Sequence, residues 1–376
     1  MKLTVFQVPK SSRYRSVPLE AYPESLQEDI CRYLERLQGT VLFADDGPPR
    51  PLRHMTIVKI KADIRQTLDA AVNAGASLEQ FLSLADLVAP SVVRSAFLWT
   101  VARRGGDVLG GLKNTMGTLL AIAKHYAKLS APDIKTLQNM RSQLGDDPIG
   151  MSDKNRVRLI QFDEWRNVAA LVTLPKKLLD RAKSKAATLH SGTDALYAVA
   201  ITLLLACPMR MKNLAVLDIG ENLLISGSGV NRRFSIWVPG SAVKNGVAIE
   251  VPLLAGPSKV LATYLDQFRP SLLNQPSSAL FPSRTGTCRG PSALGYGIKT
   301  IIFNETGLTV NPHLFRHVTA KLYLERFPGD YESVRQQLGH RKHDTTTTFH
   351  AQFDTRRAQE RYAEAVLEPY MRGKPR

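Results

Sequence analysis

The chain has 376 residues, 44% of them hydrophobic, and a mean hydropathy of −0.15, the profile of an ordinary globular protein long enough for two separately cored domains. With 50 Lys and Arg against 33 Asp and Glu, the formal charge is +17 and the pI is near 9.9. A field of that sign disfavours basic partners and favours polyanions, nucleic acid first and anionic membrane second.

The opening MKLTVFQVPKSSRYRS has no apolar core of signal-peptide length. No run approaches the roughly 18 to 20 apolar residues that a membrane span needs. The expectation is a cytoplasmic protein with no membrane partner. Cys31, Cys207 and Cys288 stand far apart and outside any CxxC spacing, so they read as reduced, buried or half-buried thiols and not as a zinc finger. Basic residues recur along the whole chain, as in VARRGG, NRVRLIQFDEWR and LPKKLLDRAKSKAA. That spread predicts a folded groove following a phosphate backbone, not a disordered arm.

In chain order, SLQEDICRYLERLQG (25–39) has helical periodicity, and FADDGPPRPLR (43–53) is a Pro/Gly loop. Residues 1–50 are therefore expected as an N-terminal extension. From there to residue 148 the pattern is helix after helix: MTIVKIKADIRQTLDAAVNAG, SLEQFLSLA, VVRSAFLWTVARRGG and LGGLKNTMGTLLAIAKHYAKL. SQLGDDPIGMSDKNR (142–156) is the linker candidate, so a second domain is expected over 149–376. It opens with DALYAVAITLLLAC (194–207), apolar on nearly every face and so a buried helix. LLISGSG, RRFSIWVPG and VAIEVPLL are short β runs, and Asn245-Gly246 in VKNGVA is a hairpin-turn signal. Helices return with PSKVLATYLDQF, LGYGIKTIIFNETG, HLFRHVTAKLYLERF and YESVRQQLG. The fold class predicted is mainly α with a small β-sheet.

Five residues could act on phosphate. His313 and Arg316 lie at i, i+3 in NPHLFRHVTA, where Pro312 suits a first helical turn. A helix start is a favourable place for phosphate. His340 follows a glycine in LGH, 24 residues beyond Arg316. Arg210 follows the buried helix in ACPMRMKNL, where an arginine is costly to bury unless an anion or carboxylate faces it. Lys244 belongs to the turn. Taken singly, each has a bland explanation as surface or capping. Together they form a set of donors able to grip non-bridging oxygens and stabilise a pentacovalent transition state, with a histidine or lysine to protonate the leaving 5′-oxygen. His313 and His317 at i, i+4 could share a metal, but nothing in the pattern completes such a site.

An arginine after a buried helix, a lysine in a β-hairpin, H-x-x-R and then LGH form an order that resembles the tyrosine recombinase (phage integrase) family. The likeness runs over roughly residues 150 to 360, through LLLACPMRMKNLAVLDI, ALFPSRTG, VNPHLFRHVTA and VRQQLGHRKHDTTTTF. It implies a helical core-binding domain over 51–148 and a catalytic domain with a C-terminal docking helix over 149–376. It places Arg210, Lys244, His313, Arg316 and His340 in the active site. It also implies DNA cutting and rejoining through a 3′-phosphotyrosine without metal or cofactor, by a homo-tetramer on double-stranded DNA that could include a related recombinase subunit. Mobile-element integration, excision and dimer resolution all fall within that chemistry.

Two departures stand out. The family's acidic residue shortly after the first arginine is not evident in MKNLAV, where Asn213 stands nearby. The nucleophilic tyrosine is expected nine or ten residues beyond His340, and those positions hold Phe349 and His350. The pattern TTTTFHAQFD favours His350 as the altered position, with Phe349 the rival alignment. Phenylalanine keeps the ring without the oxygen that attacks phosphorus. The chain is therefore expected to bind DNA with cleavage lost or severely reduced. A non-catalytic DNA-binding or architectural protein of the same fold stays open beside that reading.

Overall fold

Chain contacts divide the computed structural model into two units, 1–147 and 148–376. The residues described are 15–39, 48, 50–106, 110–145, 150–229, 232–243 and 246–339.

The first unit is all-helical among its described residues: α1 (Glu24–Leu37), α2 (His54–Asn73), α3 (Leu84–Leu87), α4 (Pro90–Arg103), α5 (Gly110–Ala121) and α6 (Ala131–Ser142). One core takes Leu26 and Ile30 from α1, Ile64 and Leu68 from α2, and Trp99 from α4. Helix α1 is thus part of this core, where the sequence pattern had set residues 1–50 apart as an extension. Its Asp29 fastens it there, accepting from the Leu84 N–H at 2.8 Å and the Tyr126 hydroxyl at 2.5 Å. The helix expected over SLEQFLSLA is instead two short turns, Leu78–Gln80 and α3. Phe81 dives into the core at the break, and Ser83 starts α3 in a reciprocal capping box with Asp86.

The second unit begins with α7 (Asp153–Ile160), α8 (Trp165–Lys183), α9 (Leu189–Ala206) and α10 (Met211–Ala215). A three-stranded antiparallel sheet follows, β1 (Leu223–Ser226), β2 (Arg233–Val238) and β3 (Ile249–Pro252), in the order β1-β2-β3. Then come α11 (Ala255–Thr263), α12 (Pro291–Thr306), α13 (Leu314–Arg326) and α14 (Tyr331–Leu338). The predicted mainly α class with a small sheet is the observed one.

Helix α9 is the axis of this core. At 18 residues and a mean hydropathy of 1.4 it is long and apolar enough to cross a membrane, which corrects the expectation that no segment comes near that limit. Its burial is 67%, the environment of a core helix. A charged cluster ties it to its neighbours. Arg181 of α8 grips Asp194 of α9 through Nε at 2.9 Å and Nη2 at 2.8 Å, and reaches Glu305 of α12 at 2.5 Å; Lys177 meets the same Glu305 at 2.9 Å.

The β2–β3 connection differs from the expected two-residue hairpin. Val238 pairs with Ile249, so residues 239–248 all lie between the strands. Gly240 approaches so closely that a Cβ there would stand 2.5 Å from the Gly246 carbonyl oxygen. The Gly246 N–H closes on the Val243 carbonyl at 3.0 Å, with Gly246 at a φ of +70° that suits glycine.

Candidate active site

The site begins where α9 ends. Pro208 holds the preceding Cys207 in extended backbone and cannot itself donate to the helix ladder. The chain therefore leaves the core as Cys207-Pro208-Met209, and Arg210, at φ −69° and ψ 145°, stands immediately before α10.

Helix α13 delivers the second arginine. The Leu314 N–H donates to both the Asn311 side-chain Oδ1 and the Asn311 carbonyl, at 2.9 Å each. That cap puts Pro312 and His313 just outside the helix and Arg316 three residues in, slightly later than the sequence placed the start. Arg316 is only 6% exposed. Its Nη1 donates to the Pro208 carbonyl at 2.7 Å and its Nη2 to the Leu338 carbonyl at 2.6 Å. One guanidinium thus pins the end of α9 and the end of α14 to α13. Helix α14 closes on Gly339 in the left-handed region, φ 60° and ψ 40°, as the glycine before His340 led one to expect.

A cavity of about 300 Å³ collects these segments: Cys207, Arg210 and Asn213 from the α9–α10 stretch, Val243 from the sheet connection, Arg316 from α13 and Gly339 after α14. Arg210 and Arg316 share its wall. His313 is not part of the wall, yet both arginines act on it. Lys244, His340, Phe349 and His350 lie outside the described residues, although neighbours of two of them, Val243 and Gly339, line the cavity.

Electrostatics set this cavity apart. Burial pushes Arg316 down to about 10, helped by the like charge of Arg210 and opposed by Cys207. Burial also lowers Arg210. His313 is lowered by partial desolvation of its ring, although the residue as a whole is exposed, and then by Arg316 and Arg210. Burial raises the Cys207 thiol to about 11, with Arg316 acting against it. Two cations sharing a desolvated wall repel, and an anion entering the cavity relieves both.

The structure adds what the sequence reading passed over. Asn213, noted only as standing near a missing acid, is 5% exposed on this wall with its Nδ2 buried and unbonded among the described residues. A buried unmet donor costs about 1–3 kcal/mol. Cys207 is a buried neighbour of Arg316, whereas Cys31 and Cys288 are exposed, against the expectation of buried or half-buried thiols for all three. Glu250 on β3, exposed, brings a carboxylate to the lining. The His313 and His317 rings meet edge to face with centroids 5.4 Å apart, a packing contact that needs no ion to explain it.

Residues 175–356 match the phage integrase family. The tyrosine recombinase XerC of Pseudomonas fluorescens is 30% identical over 151 residues, which is 40% of this chain and 46% of that protein. The XerC of Pseudomonas syringae pv. tomato is 30% identical over 138 residues, 36% of this chain and 40% of that protein. The matches span less than half the length of these curated relatives. In fold, the chain is similar to the XerH site-specific recombinase in a post-cleavage complex with its palindromic difH substrate. That likeness has a TM-score of 0.51 at 17% identity and covers 90% of this chain and 95% of XerH.

Proposed function

We propose, from the match of residues 175–356 to the phage integrase family, that the chain acts in site-specific DNA recombination. The observation that carries the reading is the shared cavity, where Arg210 and Arg316 meet beside the sheet connection and the end of α14. In this reading the two guanidiniums hold the non-bridging oxygens of a scissile phosphodiester and stabilise the charge of the pentacovalent state. Lys244, His313 and His340 are the remaining donors; one protonates the 5′-oxygen as the P–O5′ bond breaks. Low proton affinity at His313 favours hydrogen bonding to the phosphate over a permanent third charge.

The attacking oxygen would come from a tyrosine at position 349 or 350, which here are Phe349 and His350. The chain therefore binds and synapses DNA without cutting it, or serves as a DNA-binding protein that keeps the clamp. The first unit binds DNA in its own right as a core-binding domain. A cavity of about 780 Å³ between α2, α4 and α5 presents Lys59, Arg103, Arg104, Gln66 and Asn114, side chains suited to phosphate and base edges. A homo-tetramer on two duplexes, in the cytoplasm at the nucleoid, completes the proposal.

The test uses the chain as it is and its Phe349→Tyr and His350→Tyr variants, each incubated with nicked duplex DNA and read by denaturing gel for a protein–DNA adduct. One tyrosine variant is expected to form a covalent 3′-phosphotyrosyl adduct and the unaltered chain none. Absence of an adduct from all three sinks the recombinase reading and leaves the DNA-binding one.

A further inference from the structure

Asn213 follows Arg210 by three residues, and its backbone N–H closes on the Arg210 carbonyl at 2.8 Å, which fixes the two side chains as neighbours on one short turn. The amide belongs to the cavity wall that carries both arginines, and its Nδ2 is buried with no hydrogen-bond partner among the described residues. A side-chain amide has two N–H donors and no charge. A carboxylate at this place, as the family resemblance leads one to expect, would cancel part of the arginines' charge and would accept hydrogen bonds; the amide cancels nothing and donates.

We propose that Asn213 is a direct hydrogen-bond donor to the phosphoryl group gripped by Arg210 and Arg316, so that this chain holds its anion with a neutral donor where a counter-ion would be expected. The inference rests on the clamp reading given above. The terminal torsion of asparagine is soft, so the buried amide turns toward an arriving oxygen at little cost. The cavity wall thus carries a buried amide donor beside two like charges, and a single phosphoryl group would accept from the amide and offset the charges. The consequence is tighter anion binding with less internal charge neutralisation than a carboxylate would allow.

The experiment titrates the full chain with inorganic phosphate at constant ionic strength and follows the rise in Tm, which reports ligand bound to the native state. Asn213→Leu, Asn213→Asp and Arg210→Gln are compared with the unaltered chain. Asn213→Leu is expected to lose phosphate affinity about tenfold, about 1.4 kcal/mol, while its phosphate-free Tm equals or exceeds that of the unaltered chain, because the unmet donor is gone. A residue that only supported the fold would not split the two readouts in this way. Asn213→Asp is expected to lose more affinity than Asn213→Leu; should it fail to fold, Asn213→Leu decides alone. Loss of affinity in Arg210→Gln with an unchanged titration in Asn213→Leu overturns the role of Asn213 and leaves the clamp standing. An unaltered chain that shows no response to phosphate overturns the clamp and this inference with it.

Discussion

Arg181 and Arg316 sit in the same unit and hold their surroundings in opposite ways. Arg181 faces Asp194 and Glu305, and these hydrogen-bonded carboxylates raise its proton affinity above that of a free arginine. Arg316 donates to two neutral carbonyls and feels the like charge of Arg210, and its proton affinity falls to about 10. The first is a finished structural tie across α8, α9 and α12. The second is a cation set in the protein at a cost, on the wall of an open cavity. The residue type says little about which is which; the sign of the charges around the guanidinium separates a brace from a binding group.

The comparison is broken most directly at the brace. Arg181→Met leaves Asp194 buried beside a single distant histidine, His190 at 4.0 Å. Losing one partner of such a pair is expected to lower stability by about 3 kcal/mol, read as a fall in the denaturation midpoint. The double variant Arg181→Met with Asp194→Leu should recover most of that loss, because the stranded carboxylate is removed too. A single variant as stable as the parent would mean that the cluster is not a brace at all.

The reverse holds at Arg316. Its drop from 12.5 to about 10 corresponds to about 3 kcal/mol set against the charged form. Removing the charge in Arg316→Met relieves that cost and forfeits two hydrogen bonds to carbonyls, so net stability should change by about 1 kcal/mol or less. DNA affinity at low salt is expected to fall at least severalfold, and the salt dependence of binding to become shallower by about one phosphate contact. A variant that unfolds yet leaves the affinity of its folded fraction intact would place Arg316 with Arg181.

How far this was legible in the sequence depends on what kind of group makes the contact. Side chains in a fixed order along the chain were readable: Arg210 after a buried helix, His313 and Arg316 at a helix start, a glycine before His340. The carbonyls of Pro208 and Leu338 that hold Arg316 were not, since every residue carries a carbonyl and no side chain marks which one is used. The same limit hid the membership of α1 in the first core. A proline-rich loop reads as a boundary, while the Asp29 contacts that cross it join residues 55 and 97 positions apart. The wide β2–β3 connection was obscured by the strong local turn signal of Asn245-Gly246, because sequence alone does not show that the strands pair only as far as Val238 and Ile249.

That connection gives a smaller test of what shapes the cavity. Gly240→Ala puts a methyl group 2.5 Å from the Gly246 carbonyl, so the loop must shift. Overpacking of this kind costs about 1–3 kcal/mol in a rigid core and less in a surface loop. Val243 and Val247 line the cavity, so the shift is expected to weaken anion binding more than it lowers Tm. Equal effects on both would mean that the loop only supports the sheet.

The finest separation of the two regions is by acid. His313 has a folded proton affinity below its unfolded value of 6.5, so as pH falls below 6.5 the unfolded chain takes up the proton first. Its contribution is absent above 6.5, and stability declines as pH drops from there to the folded value. Glu305 also sits below its unfolded value of 4.5, held there by Lys177 and then Arg181. As an acid it contributes stability that is present above 4.5 and is lost as pH falls through its lower folded value. Acid should therefore act in two stages, first at the cavity and then at the brace. His313→Gln is expected to remove the first stage and leave the second, and Glu305→Gln the reverse, read as Tm against pH. Phosphate adds a further sign: by drawing His313 toward its charged form it raises the folded value toward 6.5, so it should shrink or reverse the first stage, and it should leave the second stage where it is. Movement of both stages together would show that the cavity and the brace are one electrostatic unit.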